Sequence, residues 1–84
     1  MRYADNHCTY TETFDNGAHF YVYTGPCIKT GKTVTVKLPA KGLFAYRQGK
    51  YIQDAFPTLT VDEREFLISG FSKEGWDLAF GSDE

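Results

Sequence analysis

The stretch Thr33-Val34-Thr35-Val36-Lys37-Leu38-Pro39 decides the fold class. Val34, Val36 and Leu38 fall on one side of an extended chain and Thr33, Thr35 and Lys37 on the other, which is the two-residue period of a half-buried strand with one wet face. Pro39 ends it, since proline has no N–H to give to a ladder. Upstream, residues 18–23 read as a second strand. Phe20 and Val22 point one way and His19, Tyr21 and Tyr23 the other, so apolar area on both faces predicts a central or covered position. Before it, Asp15-Asn16-Gly17 is a strong turn signal, because Asn and Gly tolerate the positive φ of a tight turn. Thr9, Tyr10, Thr11, Thr13 and Phe14 have strand propensity and complete a hairpin. Residues 25–32, Gly25 to Lys32, are bounded by glycines, contain Pro26 and read as a loop.

Downstream of Pro39 the period changes. Leu43, Phe44 and Tyr46 have helical spacing and Gly49 suits a left-handed helix end, which predicts a short helix over 40–48. Residues 50–56 are ambiguous, and Pro57 closes them. Thr60-Val61-Asp62-Glu63 is a capping box, so a helix starts there, carries Val61, Phe66, Leu67 and Ile68, and stops at Gly70. Ser72 is placed to cap a last helix through Trp76, Leu78, Ala79 and Phe80. Strands first and helices after them predict an α+β fold: a small antiparallel β-sheet in the N-terminal half, covered on one face by two or three short C-terminal helices. With 84 residues there is room for one core, hence a single domain over 1–84, with 1–8 and 81–84 as candidates for fraying.

Composition bounds the function. Seven Phe, six Tyr and one Trp make 17% aromatic residues, rich for so short a chain, and favour a contact surface. The net charge of -2 argues against a protein whose main task is to neutralise phosphates. The charge is nevertheless uneven: residues 1–52 carry seven Lys/Arg against three acids, and 53–84 carry eight acids against Arg64 and Lys73. Two halves attracting each other on folding, or two functional faces, both follow from this. No charged segment followed by an apolar one opens the chain, and no apolar run approaches a bilayer span, so a cytoplasmic protein without membrane contact is expected. Cys8 and Cys27 are too few for a disulfide framework and are expected as free thiols, with a bridge open to them under oxidising conditions.

Chemical motifs are sparse. Gly25 and Gly31-Lys32-Thr33 suggest a phosphate-binding loop, but five residues separate the glycines where four are required, and a strand follows where a helix is needed. His7, Cys8, His19 and Cys27 are the soft ligands, yet no pair has the short spacing of a zinc site. Cys27 with His19 lacks an orienting third group and an oxyanion cradle. The expectation is therefore a non-enzymatic chain without metal or cofactor. The better candidate for contact is the basic and aromatic cluster Lys41, Tyr46, Arg47, Lys50 and Tyr51, whose rings and cations suit a protein partner or stacked bases. Tyr21 and Tyr23 on the second strand join it as candidates. Trp76 among Glu74 and Asp77 is either a further contact ring or, as the favoured reading, packed in the core beneath solvated acids.

Residues Ile52-Gln53-Asp54-Ala55-Phe56-Pro57, then Asp62-Glu63-Arg64-Glu65-Phe66-Leu67-Ile68-Ser69-Gly70 and Trp76-Asp77, resemble a group of short, uncharacterised proteins encoded by bacteriophages and their integrated relatives. The resemblance covers roughly the last forty residues, with weaker support from Gly31-Lys32-Thr33-Val34. Some members of the group carry extra cysteines near Cys27 and near residues 72–75, which suggests a zinc-stapled version of the fold. Here Thr24, Ser72 and Gly75 supply no thiol, so the resemblance implies at most a degenerate zinc-ribbon-like structural domain. It also implies a setting: phage accessory proteins of this size bind host or phage proteins and redirect or inhibit host machinery, defence systems included. A small nucleic-acid-binding module using the basic half is the alternative.

Overall fold

The computed structural model describes residues 1–80, and the expected fraying of 81–84 lies outside them. Eight elements follow one another: α1 (Arg2–His7), β1 (Thr9–Asp15), β2 (Ala18–Pro26), β3 (Thr33–Pro39), α2 (Ala40–Arg47), α3 (Ile52–Ala55), α4 (Val61–Ser69) and α5 (Lys73–Phe80). The strands form one antiparallel sheet in the order β1-β2-β3. The α+β architecture expected from the sequence is thus present.

The hairpin turns where the sequence places it. Asn16 at φ 52° and Gly17 at φ 83° supply the two left-handed residues of the turn, and the register pairs Phe14 with His19, Glu12 with Tyr21 and Tyr10 with Tyr23. On the other side Tyr21 pairs with Leu38 and Tyr23 with Val36. Directly paired residues share a face of a sheet. One face therefore carries Tyr10, Glu12, Phe14, His19, Tyr21, Tyr23, Val34, Val36 and Leu38, and the other carries Phe20 and Val22 among threonines and Lys37. The first face is the core face: Tyr23, Val36 and Leu38 are buried there against Leu43, Phe56, Phe66 and Leu67. β2 is longer than expected, its pairing with β3 running on through Gly25 with Val34 and Pro26 with Thr33, and Gly25 packs so closely on Cys8 that a Cβ there would lie 2.5 Å from its Sγ. The predicted loop shrinks to residues 27–32.

The largest departure is at the start of the chain. Residues 1–8 do not fray: α1 buries Tyr3 and Ala4, Tyr3 packs edge-on against Phe66 of α4 at 5.6 Å, and its hydroxyl donates to Pro26 O at 2.6 Å. Burial, with the Cys8 and Cys27 sulfurs nearby, raises the Tyr3 phenol above its ordinary pKa. The sheet is thus covered by α1 as well as by the later helices. α4 is what its sequence demands. Glu63 N donates to Thr60 Oγ1 at 3.1 Å while Thr60 N donates to Glu63 Oε1 at 2.9 Å, and Gly70 closes the helix at φ 87°. Such a cap contributes about 1 kcal/mol. At Gly42 a Cβ would lie 2.4 Å from Ala55 O and 2.9 Å from the Phe56 ring, so only glycine lets α2 approach α3 this closely.

Candidate functional site

The helices cover only part of the core face. Near the β1–β2 turn the same face continues beyond the helices and Phe14 meets solvent, 69% exposed; at the other end of β1, across from the buried Tyr23, Tyr10 is 58% exposed. The cross-strand register lines these rings up. Phe14 stacks on His19 at 4.6 Å, His19 leans on Tyr21 at 4.9 Å, and Tyr21 meets Phe44 of α2 edge-on at 6.5 Å. Tyr10 closes the row against Tyr21 at 5.6 Å and Tyr23 at 5.3 Å. Because each ring leans on the next, the row is ordered before anything binds it, which lowers the entropic cost of association.

Polar groups edge the row. His19 Nε2 and Glu12 Oε2 lie 2.9 Å apart; on the opposite face of the sheet Lys37 Nζ donates to Asp15 Oδ2 at 3.0 Å and sits 4.4 Å from the Phe20 ring centroid. Beside the row, a groove of about 620 Å³ is walled by His19, Phe20, Pro39, Lys41 and Phe44. At the inner end Arg47 Nη2 lies 3.5 Å from Tyr23 Oη and 3.8 Å from Asp5 Oδ1. Desolvation, then the Glu12 carboxylate, raise the phenol of Tyr21; burial raises that of Tyr23, offset only in part by Arg47. Both phenols therefore stay neutral near pH 7 and present O–H donors.

The structure brings together some of the residues singled out from sequence and separates others. Tyr21 and Lys41 lie in or beside the row, with Arg47 at its inner end; Tyr23, expected as a contact residue, is instead buried at 2% exposure in the core beneath Tyr10. Tyr46 does not: its ring packs toward Phe56 at 6.2 Å and its hydroxyl accepts from the Met1 amino nitrogen at 3.1 Å, so it serves the core. Lys50 and Tyr51 are exposed on the link after α2. Trp76 belongs to α5, which is anchored to the 27–32 loop at the opposite end of β2 from the hairpin turn, in a molecule 44 Å long. It is also 44% exposed, so the reading that buried it in the core is corrected: its ring packs on Phe71 and Phe80 instead. Phe14, His19, Tyr10 and Phe44 were not in the sequence list. The Asn16-Gly17 turn carried the signal, since a two-residue turn fixes which residues pair across the hairpin and hence which rings share a face.

Cys27 is the one other chemically distinctive group. Its buried sulfur accepts from Ser72 Oγ at 3.2 Å, Ser72 N at 3.4 Å and Thr30 N at 3.5 Å. Burial alone would push the thiol up, but these donors outweigh it and hold the pKa at about 6. Ser72 and Gly75 do converge on this sulfur, and a Cβ on Gly75 would lie 2.5 Å from it. Thr24 instead faces Thr35 across the sheet. One thiol, a hydroxyl and a glycine hydrogen do not fit a zinc ion, which needs four deprotonated or neutral donor atoms. Among the described residues no cluster of three or more His, Cys, Asp or Glu is placed to hold a metal, and no helix is long and apolar enough to cross a membrane. A scan of protein-family models and searches of curated proteins and of solved structures each returned no match, so the chemistry of this surface rests on its own residues.

Proposed function

We propose that this chain is a non-enzymatic accessory protein of the phage type that binds a host or phage protein in the bacterial cytoplasm, and that the aromatic row on its hairpin is the contact surface. The observation that carries the reading is that Phe14 and Tyr10 on the core face of the sheet, and Phe44 of α2 beside them, stay solvent-exposed. Large pre-ordered rings edged by Lys41 and Arg47 have the make-up of an interface core with a polar rim. The phage setting, with inhibition of a host defence system as one outcome of binding, rests on the resemblance of the C-terminal half.

The test is affinity capture from bacterial lysate by tagged protein, with and without nuclease, comparing the wild type with a Phe14→Ser, Phe44→Ser variant. Both side chains are exposed, so the variant should fold with stability changed by about 0.5 kcal/mol per site. A nuclease-resistant protein captured by the wild type and lost by the variant supports the reading; capture by both removes the row from the interface. The rings beside Lys41 and Arg47 also suit stacked bases. That second reading predicts recovery through nucleic acid only, with affinity falling steeply with salt. Glu12 along the same row weighs against it.

A further inference from the structure

Between α4 and α5 lies a cleft of about 190 Å³, walled by Val61, Asp62 and Glu65 on one side and by Phe71, Ser72 and Trp76 on the other. Asp62 and Glu65 stand three residues apart, on one face of α4. The cations nearby are committed elsewhere. Arg64 Nη1 donates to Leu59 O at 2.8 Å, Lys73 Nζ lies 3.8 Å from Asp77 Oδ2, and Lys32 Nζ lies 3.2 Å from Glu74 Oε1. Among the described residues no ion pair uses the carboxylate of Asp62 or Glu65. Across the cleft from these carboxylates, Trp76 packs on Phe71 at 6.1 Å and on Phe80 at 4.5 Å.

One kind of occupant satisfies both walls. A neutral apolar side chain would cover the Trp76 ring but desolvate two carboxylates without compensation. An anion would be repelled by them. A cation gains from the carboxylates and from the indole face, the strongest of the aromatic faces for this purpose. A guanidinium does so best, because it is flat enough to stack on the ring and forked enough to reach a carboxylate with two N–H groups. The geometry points to the α4–α5 cleft as a receptor for an arginine side chain on an exposed basic segment of a partner protein. This contact is separate from the aromatic row on the hairpin.

Trp76 is the only tryptophan in the chain, so its fluorescence reports on the cleft alone. The full chain is titrated with acetyl-Gly-Arg-Gly-Arg-Gly-amide, with the same peptide carrying citrulline, which has the shape of arginine without its charge, and with the lysine version. A saturable change with the arginine peptide is expected. It should be weakened about tenfold or more by citrulline and by Asp62→Asn with Glu65→Gln, and left unchanged by Phe14→Ser with Phe44→Ser. Helical circular dichroism checks the fold of the double variant, and Glu65→Gln alone carries the test if that variant unfolds. No saturable change at millimolar peptide, or an equal response to citrulline, overturns the proposal. Equal binding of the lysine peptide overturns its assignment to a guanidinium. A loss caused by the hairpin variant would place the arginine on the row instead, which also overturns it.

Discussion

α4 and α5 are neighbours of almost equal length, yet they are held by opposite means. α4 has a complete capping box at one end, a left-handed glycine at the other, and Phe66 and Leu67 wholly buried between them. α5 buries Gly75 alone and leaves Trp76, Leu78 and Phe80 substantially exposed. Besides the packing of Trp76 and Phe80 on Phe71, its attachment is one hydrogen-bonded sulfur, Cys27, one close-packed glycine and the exposed Lys32–Glu74 pair. Exposed ion pairs contribute little, so α5 stands at the low end of the local stability scale while α4 belongs to the cooperative core. The lesson is that hydrophobic residues at helical spacing do not say which helix the core owns; what lies across from them does. α4 faces Tyr3 and the sheet, whereas α5 faces a loop.

The sharpest way to break this contrast is to truncate a ring in each helix. Phe66→Ala should cost about 3–5 kcal/mol in denaturant unfolding, while Phe80→Ala should change stability by about 0.5 kcal/mol or less. Similar losses from the two would mean that α5 is part of the core after all.

Next in size is the anchor of α5. Cys27→Ala strands the Ser72 and Thr30 donors and should cost about 1–3 kcal/mol. The anchor also titrates. Cys27 has its folded pKa depressed from 9.0 to about 6, so the folded state favours the thiolate, and its stabilisation is complete above pH 9, declines as pH falls toward 6 and is absent below that. The stability difference between the wild type and Cys27→Ala, measured by urea unfolding across this range, should therefore shrink on acidification, other groups cancelling between the two proteins. A difference that does not change with pH would show that the sulfur is held as a neutral thiol. A smaller effect is expected at the α4 cap, where Thr60→Ala should lower stability by about 1 kcal/mol. A negligible change there would assign the order of α4 to its buried face alone.

How much of this was legible in the sequence follows the same division. The hairpin, β3 and α4 were readable because their signals are local: Asn16-Gly17, the alternation ending at Pro39, and the Thr60 to Glu63 box. α1 was not. Asp5, Asn6 and His7 make it look like a polar lead-in, and only the distant α4 gives Tyr3 and Ala4 something to bury against. Trp76 was misjudged for the converse reason, since burial is usual for tryptophan and its neighbours give no hint that α5 has so little opposite it. Of the candidate contact residues, Tyr46 looked like its exposed neighbours on α2 until Phe56, brought close by the glycine at 42, claimed its ring. The ring row itself was implicit in the turn, because a two-residue turn sets which side chains meet across β1 and β2.

The packing of α1 on α4 also joins segments far apart in the chain. β1, β2 and β3 are joined by short connections and close early at small entropic cost. α1 is made before them, yet the Phe66 ring that Tyr3 leans on and the glycine at 70 that leaves room for it are made some sixty residues later. α1 can thus dock only after α4 has been made, and until then the core face of the sheet has only Leu43 of α2 and the nearby Phe56 to cover it.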